Sequence, residues 1–564
     1  MAHSAKAPRV PPGPAQQNLP LAPARAGPRG LSAPHLPCQP YPSAWRPHPE
    51  DFAISTKHVA IIGAGVGGLA AAIDLAAKGV RVTVLERAPV PGGKLHTIGP
   101  LGIDAGPTTL TMRWVFEALF QRAGVSFADQ LVLTRPETLA RHAWAGEQHL
   151  DVFADIPRTA DAIGAFAGPA DAKGYLAFQA QARRVYETLE PRFLNAAQPQ
   201  GLELLLGAGP LGARRLQPLT TLWTAVGRHM ADPRLHQAFS RYSTQFGTSP
   251  FQAPAAMMLL AHVEQSDTWL VEGGMELLAA ALAALAASQG AVLRTDAPVR
   301  EIIVAGGSAA GVRLDSGETI EADAVLMNGE PAALAAGLLG PRVARATTAM
   351  RFPQRSLSAN SWAMLAEAHG LPLARRTLFF SSDLQREFDL INAGRLPTEP
   401  TVTIHAQDRT EPAPGRALGA TNGPANDPAN GPERLLLTVN APPSGDRRAF
   451  SQVEIDQCMQ GITGLLRRCG LELRPAAAPL MTTPATAHRQ FPASGGALYG
   501  PALEGAAAAF RRPGARTRVP GLYLAGGSTH PGPGLGPAAL SARQAVLSIL
   551  QDLAPKRPGL FRSA

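Results

Sequence analysis

The sequence predicts an α/β protein in which one domain, assembled from both ends of the chain, is interrupted by a second, α+β domain. Near the N-terminus, residues 58–86 have the pattern of a strand, a glycine-rich turn, a helix and a second strand. Near the C-terminus, residues 518–549 have the pattern of a strand, a glycine-rich turn and a helix. The 564 residues suffice for two or three domains, and 45% hydrophobic content with 17% charged residues is typical of a globular chain.

The N-terminal glycine turn predicts a dinucleotide site. Gly63, Gly65 and Gly68 follow an apolar run at 58–62 and precede a run with helical periodicity. The first glycine permits a tight turn, the second lets the backbone approach a pyrophosphate, and the third lets the helix pack against the strand. The free N–H groups and the positive dipole end of the helix favour phosphates there. We therefore expect a Rossmann-like parallel sheet.

An acid closes the second predicted strand. Glu86 follows the β-branched run at 81–85, at the strand tip where a carboxylate accepts hydrogen bonds from adenosine ribose hydroxyls. An acid at this position disfavours a 2′-phosphate, which argues against NADP. A Gly-x-Gly-x-x-Gly turn alone also occurs in α/β proteins that bind no dinucleotide. Here, however, the strand, helix, second strand and acid are all in register.

The C-terminal segment predicts a second anion-binding turn. A buried strand is expected at 522–525, followed by a glycine-rich turn from Gly526 to Gly536. Pro537 fits the first turn of a helix that continues over 538–550. A glycine-lined turn that enters a helix N-terminus binds anions and carbonyl groups.

The residues around the first turn resemble a known class of flavoprotein. Glu86 is followed by PGGK at 91–94 and by GIDAGPT at 102–108. This order resembles the two-dinucleotide-binding-domain flavoproteins, which bind FAD. Lys94 stands where that class usually has Arg, so the charge is kept and the fork geometry is lost. The resemblance implies FAD as the cofactor, with the helix after the C-terminal turn facing the flavin ring.

Three further segments narrow the resemblance. GGSTHPGPG at 526–534, PTTLTMRWVF at 107–116 and EGGM at 272–275 are similar to bacterial carotenoid desaturases of the phytoene desaturase family. They are most similar to its hydroxyneurosporene (methoxyneurosporene) desaturase branch. The implied reaction is FAD-dependent dehydrogenation of the C3–C4 bond of a 1-hydroxy- or 1-methoxyneurosporene-type carotenoid. The hydride would pass to flavin N5.

The same resemblance implies a set of FAD contacts. The implied contacts are Gly63, Gly65, Gly67, Gly68, Glu86, Arg87, Gly93, Lys94, Asp104, Pro107, Thr108, Val299, Gly526, Gly527, His530, Pro531, Gly534, Gly536 and Ala538.

Catalytic groups are harder to assign. A cation delocalised over a polyene needs positioning and exclusion of water more than a strong acid, and no catalytic dyad stands out. His530 is the candidate catalytic proton acceptor and Glu272 a second one; a turn histidine bonded to the flavin or the backbone is the alternative interpretation. Arg113, Arg241 and Tyr242 are candidates to contact a terminal hydroxyl or methoxy group. Neither the cysteines nor the histidines have metal-ligand spacing, so no metal is expected.

The resemblance also implies a domain division. The FAD-binding domain would comprise 57–106, 270–330 and 515–552, and the substrate- and membrane-facing domain 107–269 and 331–514. The proline-rich segment 1–55 is predicted to be disordered, and the low-complexity segment 410–433 is predicted to be a flexible loop. Among the expected helices are those at 109–124, 160–189, 276–289 and 454–469.

Charge and hydropathy bear on the partners. The net charge is +9, of which residues 1–50 contribute +4, so the remainder is weakly basic and nucleic acid is not expected as a partner. The expected partners are a hydrophobic carotenoid, a membrane surface, and quinone or oxygen as electron acceptor. An apolar entry patch rimmed by Arg511, Arg512, Arg516 and Arg518 would seat the protein peripherally on the inner membrane, from the cytoplasm. Three cysteines, no signal peptide and no run of about 20 apolar residues agree with this location.

Three other functions stay open at this point. A phytoene desaturase would act on earlier, hydrocarbon substrates. A flavin-dependent carotene isomerase would give products of unchanged mass. A non-enzymatic prenyl-lipid escort on the same fold would not retain FAD.

Overall fold

The computed structural model describes residues 56–197, 217–350, 354–409, 431–505 and 507–554, together with five positions between 201 and 216. The proline-rich segment 1–55 and residues 410–430 of the predicted loop lie outside the described residues, so both interpretations stay predictions.

The described strands are β1 (His58–Ile62), β2 (Arg81–Leu85), β3 (Thr97–Ile98), β4 (Ile103–Asp104), β5 (Leu110–Thr111), β6 (Leu133–Thr134), β7 (Thr138–Trp144), β8 (Gln148–Phe153), β9 (Thr268–Val271), β10 (Val292–Arg294), β11 (Val299–Ala305), β12 (Ser308–Leu314), β13 (Thr319–Glu321), β14 (Ala324–Met327), β15 (Ser358–Gly370), β16 (Arg376–Phe379), β17 (Val402–Ala406), β18 (Glu433–Ala441), β19 (Leu471–Pro475), β20 (Leu480–Thr482) and β21 (Leu522–Leu524).

The described α-helices are α1 (Val66–Ala76), α2 (Arg113–Arg122), α3 (Ile156–Ala167), α4 (Pro169–Leu189), α5 (Leu222–Gly227), α6 (Pro233–Ser240), α7 (Leu259–Asp267), α8 (Glu276–Ser288), α9 (Pro331–Ala335), α10 (Leu384–Asn392), α11 (Gln452–Arg468), α12 (Pro484–Gln490) and α13 (Leu535–Leu553). None of these helices is long and apolar enough to cross a membrane.

A five-stranded parallel sheet brings the two ends of the chain together. Its order is β10-β2-β1-β14-β21, so the central strand β1 lies between β2 and β14, and the C-terminal strand β21 forms one edge. Every pair in the sheet is parallel. The carboxyl ends of all five strands therefore lie along one edge, where open α/β sheets bind their ligands.

Three helices cover one face of this sheet. Every residue of α1 is buried, and α1 packs against both α8 and α13. These helices are rich in alanine, whose small side chain lets helix backbones approach closely. The opposite face is covered by the antiparallel β11–β12–β13 sheet, with Ile302, Val312 and Leu334 in the core between them.

A second, eight-stranded sheet has the main order β19-β15-β18-β17-β16-β7-β8, with β20 pairing with β15. Its pairs are antiparallel except for β16 with β7. Along β17, Val402 and Ile404 are buried in the core that contains the α11 residues Ile455 and Leu465. The alternate residues Thr403 and His405 are half-buried on the other face. This alternation leaves one face of the sheet free to line a cavity.

Long-range contacts change several predicted boundaries. The helix expected over 109–124 begins only at Arg113, because Leu110 and Thr111 pair with Trp269 and Thr268 as a strand. The single helix expected over 160–189 is two helices, because Gly168, with a φ of +99°, ends the first and Pro169 begins the second. The 13-residue strand β15 was not predicted.

Gly68→Ala tests the packing of α1 on the turn. A Cβ at Gly68 would lie 2.0 Å from the Gly63 carbonyl oxygen, so the helix must shift. We expect a loss of about 1–3 kcal/mol in the free energy of unfolding and loss of bound flavin, measured by thermal unfolding and by flavin-to-protein ratio. Gly464→Ala in α11 is the control, since its Cβ would meet only Arg468 Nη1 at 3.5 Å. A Gly68→Ala protein as stable and as yellow as this control would contradict the packing argument.

Candidate active site

The N-terminal glycine turn leaves a helix end open. Gly63 has a φ of +95°, and its N–H donates to the Leu85 carbonyl at 2.8 Å. Helix α1 follows with Gly65 at its N-cap and no side-chain cap. The N–H groups of the first turn are therefore available to an anion, as the sequence predicts.

The C-terminal turn has the same character. Gly526 and Gly534 have φ values of +116° and +113°, and Gly534 is the N-cap of α13, again without a side-chain cap. Ser541 Oγ accepts from the Gly526 N–H at 2.7 Å and holds the turn against the helix. A Cβ at Gly536 would lie 2.7 Å from Met112 Cβ, so the start of α13 packs against the start of α2.

Asn328 joins the two turns. Its Nδ2 donates to the Gly63 carbonyl at 3.2 Å. A Cβ at Gly67 would lie 2.6 Å from Asn328 Oδ1 and 3.0 Å from the Gly526 amide nitrogen. The two glycine motifs therefore share one edge of the parallel sheet. The sequence analysis missed Asn328, although its place directly after the predicted strand 324–327 was an available signal.

Glu86 lies beside the first turn and is 7% exposed. Its Oε2 accepts from the Ala64 N–H at 2.7 Å, and its Oε1 accepts from the Ala88 N–H at 2.9 Å. Each carboxylate oxygen keeps a further lone pair, so ribose hydroxyls still find acceptors there. The neighbouring Arg87 is exposed.

A cluster of half-buried and buried charged side chains lies behind the C-terminal turn. Glu330 accepts from Ser528 Oγ at 2.7 Å, and Lys94 Nζ donates to the Leu498 carbonyl. Burial raises the pKa of Glu330, and it lowers the pKa of Lys94, while their mutual attraction opposes both shifts. Glu330 was not predicted, since only the fold places it near Lys94.

Arg512 belongs to this cluster, so its prediction as a surface residue of a basic membrane rim was wrong. Its guanidinium donates to the carbonyls of Gly527 at 3.0 Å, Tyr499 at 2.8 Å and Pro501 at 2.6 Å. Burial lowers its pKa to about 10. These three carbonyls hold the side chain inside the protein, where it is 5% exposed.

Asp104 is held by hydrogen bonds to other segments, whereas Gly93 packs directly against the first turn. Asp104 Oδ2 accepts from the Met275 N–H at 3.1 Å, and burial raises the pKa of this carboxyl. Gln407, which the sequence analysis missed, bonds both the N–H and the carbonyl of Asp104 at 2.8 Å. Gly93 has a φ of +60°, and a Cβ there would lie 3.1 Å from the Gly65 Cα.

The remaining predicted contacts are more dispersed. Thr108 Oγ1 lies 3.1 Å from His405 Nδ1, on the second sheet, and Pro107 beside it is half-buried. Val299 is half-buried in β11 opposite Leu314. The last group is in or beside the C-terminal turn, where Gly527 is half-buried and Pro531 and Ala538 are buried.

His530 faces backbone carbonyls. Its Nε2 lies 2.9 Å from both the Phe193 and the Ala196 carbonyl oxygens, so this nitrogen carries the hydrogen. Burial lowers the pKa of the imidazole, which favours the neutral ring. In that tautomer only Nδ1 has a free lone pair to accept a proton.

Glu272 and Arg113 do not join this site. Glu272 is exposed and accepts from Thr134 Oγ1 at 2.9 Å. Arg113 Nε donates to Glu117 at 2.8 Å, and its guanidinium lies over the Trp269 ring at 4.6 Å.

Arg241 and Tyr242 are held by a buried acid instead of facing a substrate. Arg241 Nη2 donates to Glu264 at 2.7 Å, and the Tyr242 hydroxyl donates to the same carboxylate at 2.9 Å. Arg376 also donates to Glu264. Burial alone would raise the pKa of Glu264, but Arg241 and Arg376 outweigh it and hold that pKa well below its ordinary value.

The described residues hold no metal-binding group. No cluster of His, Cys, Asp or Glu in the described ranges could hold a metal ion. Cys458 and Cys469 are buried free thiols.

Comparison with known proteins decides the family. A family model described as flavin containing amine oxidoreductase matches residues 66–550. The chain belongs to this family. The expected cofactor, FAD, is confirmed as the flavin of this family, and the bare helix ends of α1 and α13 fit an anionic, carbonyl-bearing group.

The chain is similar over most of its length to named desaturases. It is 45% identical over 509 residues to a hydroxyneurosporene desaturase of Rubrivivax gelatinosus, covering 89% of this chain and 94% of that protein. It is 40% identical over 505 residues to a hydroxyneurosporene desaturase of Cereibacter sphaeroides, covering 88% of this chain and 98% of that protein. The predicted resemblance to carotenoid desaturases is therefore confirmed.

The predicted fold class is confirmed as well. A crystal structure of an oxidoreductase from Methanosarcina mazei matches with a TM-score of 0.54, covering 88% of this chain and 100% of that chain. At 16% identity this likeness shows the fold alone.

Glu86→Arg tests the acid at the strand tip. A guanidinium there loses the acceptors for the Ala64 N–H and for ribose hydroxyls, so we expect a protein without bound flavin, measured by absorbance after gel filtration. Glu86→Gln keeps one acceptor oxygen and should retain more flavin than the Arg variant. A fully yellow, active Glu86→Arg protein would contradict the assigned ribose contact.

Glu264→Gln tests the buried ion cluster. Removing this charge leaves Arg241 and Arg376 buried without their counterion, which costs about 3–5 kcal/mol in the free energy of unfolding. Because the pKa of Glu264 is lowered by folding, its contribution is present above the ordinary value of 4.5 and is lost as the pH falls below it. Urea unfolding at several pH values measures both effects. The exposed pair Glu318–Arg294 supplies the control, Glu318→Gln, which should change stability far less. Equal effects of the two variants would argue against the cluster.

Proposed function

We propose that this chain is an FAD-dependent desaturase of an acyclic carotenoid, which dehydrogenates the C3–C4 bond of a 1-hydroxy- or 1-methoxyneurosporene-type substrate. The observation that carries the proposal is the shared edge of the parallel sheet, where Gly67 meets Gly526 beside Asn328. The names of the two desaturase relatives support the substrate class.

In this proposal the residues of the two glycine turns hold the cofactor. The N-terminus of α1 binds the phosphates, Glu86 binds the adenosine ribose, and the N-terminus of α13 faces the ring. Bound FAD supplies the hydride acceptor. The domain formed by 57–106, 270–330 and 515–552 holds it, and the domain formed by 107–269 and 331–514 holds the substrate.

The chain's own contribution to the chemistry is to position the substrate, exclude water and hold a proton. We assign the proton to His530 Nδ1 because its Nε2 is committed to the two carbonyls. The exposed position of Glu272 argues against it as the alternative acceptor. The buried side chain of Arg512 and the half-buried side chains of Lys94 and Glu330 would limit the access of water behind the turn.

Substrate and product are hydrophobic, so we propose that the protein works peripherally on the cytoplasmic side of the inner membrane in a pigment pathway, and that quinone or oxygen reoxidises the flavin. Arg511, Arg516 and Arg518 are exposed and stay candidates for the basic rim. Vesicle flotation with anionic lipids tests this placement.

Product analysis tests the proposed function. The purified yellow protein is incubated with 1-hydroxyneurosporene and, separately, with phytoene. We expect a product lighter by two hydrogen atoms and absorbing at longer wavelength from the first substrate, because one more double bond extends the polyene. Conversion of phytoene alone would indicate a phytoene desaturase, and an isomer of unchanged mass would indicate an isomerase. A colourless protein, without bound FAD, would favour the non-enzymatic prenyl-lipid escort.

A further inference from the structure

A cavity lies between the segment around Thr108 and the open face of the eight-stranded sheet. Its enclosed space is about 20 Å³, room for about one water, and it opens to solvent at its mouth. Its lining includes the apolar side chains of Leu139 and Leu270 and the polar side chains of Thr108, Arg376 and His405. A cavity of this size that is apolar on one side and polar on the other suits the one polar atom at the end of an apolar molecule.

Two of these polar residues are cross-strand neighbours. Arg376 on β16 pairs directly with His405 on β17, so their side chains project from the same face of the sheet. His405 Nδ1 is bonded to Thr108 Oγ1 at 3.1 Å, which turns the Nε2 edge of the ring away from that partner. Arg376 Nε is buried and has no hydrogen-bond partner among the described residues. Each side chain therefore has polar capacity that its protein contacts do not use.

The electrostatic state favours an oxygen that accepts hydrogen bonds as the occupant. Burial, helped by Arg376 and Arg375, lowers the pKa of His405 to about 3, so the ring is neutral at physiological pH. Arg376 donates to Glu264, which it shares with Arg241, so one carboxylate faces two guanidinium groups. The excess positive charge favours an occupant whose oxygen accepts hydrogen bonds.

The cavity also lies close to where the reaction would occur. Thr108 lies two residues before β5, and β5 leads to Met112, whose side chain packs against Gly536 at the start of α13. In the proposed substrate, carbon 1 is separated from the C3–C4 bond by a single carbon. A terminal oxygen on carbon 1 must therefore be bound within a few ångströms of the reacting bond.

We propose that His405 and Arg376, with Thr108 orienting the imidazole, bind the terminal oxygen of the substrate and thereby select oxygenated over hydrocarbon carotenoid ends. This assignment rests on the proposed function. An oxygen accepts from Arg376 Nε and bonds His405 Nε2, whereas a hydrocarbon end leaves both buried groups without a partner. A site built around such groups rejects the analogue that lacks the oxygen.

The test compares two polar variants of His405. His405→Asn keeps an amide near Thr108 but does not reach as far as Nε2, whereas His405→Gln extends an amide to that position. The measured quantity is the ratio of kcat/KM for 1-hydroxyneurosporene to that for neurosporene. We expect Asn to lower this ratio about tenfold, as the loss of one hydrogen bond predicts, and Gln to keep it near the wild-type value.

Thr403→Val is the matched control, since Thr403 lies on the same strand and the same face but outside the cavity lining. Its ratio should equal that of the wild type. Flavin content reports folding for all three variants. Independently of any variant, the wild type must itself favour the hydroxylated substrate by about tenfold or more.

The outcomes distinguish a failure of the oxygen-binding role from a failure of the proposed desaturase function. If the wild type desaturates both substrates but shows no preference, or if Asn and Gln variants behave alike, the oxygen-binding role is overturned and the desaturase stands. If the flavin-loaded wild type converts neither substrate, the proposed function itself fails.

Discussion

The parallel pairing of β1 with both β2 and β14 is the constraint on which the rest of the structure depends. It places the ends of three strands from distant parts of the chain side by side, and β21 joins the same edge through β14. Asn328 donates a hydrogen bond to the Gly63 carbonyl in the first glycine turn and also lies beside Gly526 in the second. A single cofactor can bridge both turns only because this register is shared.

The interior beside that edge is charged. Arg512 is buried, Lys94 and Glu330 are half-buried, and burial displaces the pKa of each toward its neutral form. Their hydrogen bonds within the protein go to Ser528 and to backbone carbonyls. Such an arrangement stiffens the C-terminal turn without offering a strong acid or base. It suits a reaction in which a delocalised cation needs exclusion of water more than proton transfer.

The proposed substrate selectivity would come from the second sheet, by a different physical route. Because side chains alternate along its strands, one face of this sheet packs against α11 and the side chains on the other face are half-buried. On the open face, Arg376 shares Glu264 with Arg241, and burial keeps its cross-strand neighbour His405 neutral. The proposed discrimination depends on hydrogen-bonding groups that a hydrocarbon end would leave unpaired. The family fold does not dictate this feature, which depends on a few side chains grafted onto it.

The sequence by itself determined the elements whose signals are local. The glycines at 63, 65 and 68, Glu86 after its strand, and the turn that begins at Gly526 follow from short-range spacing, and they predicted the fold class and FAD. Only the tertiary structure decided what depends on contacts between distant segments. It placed Asn328 between the turns, turned Arg512 inward onto three carbonyls, and brought His405 to Thr108. The difference is physical, because strand order and register are set by burial across the whole chain, which no local pattern records.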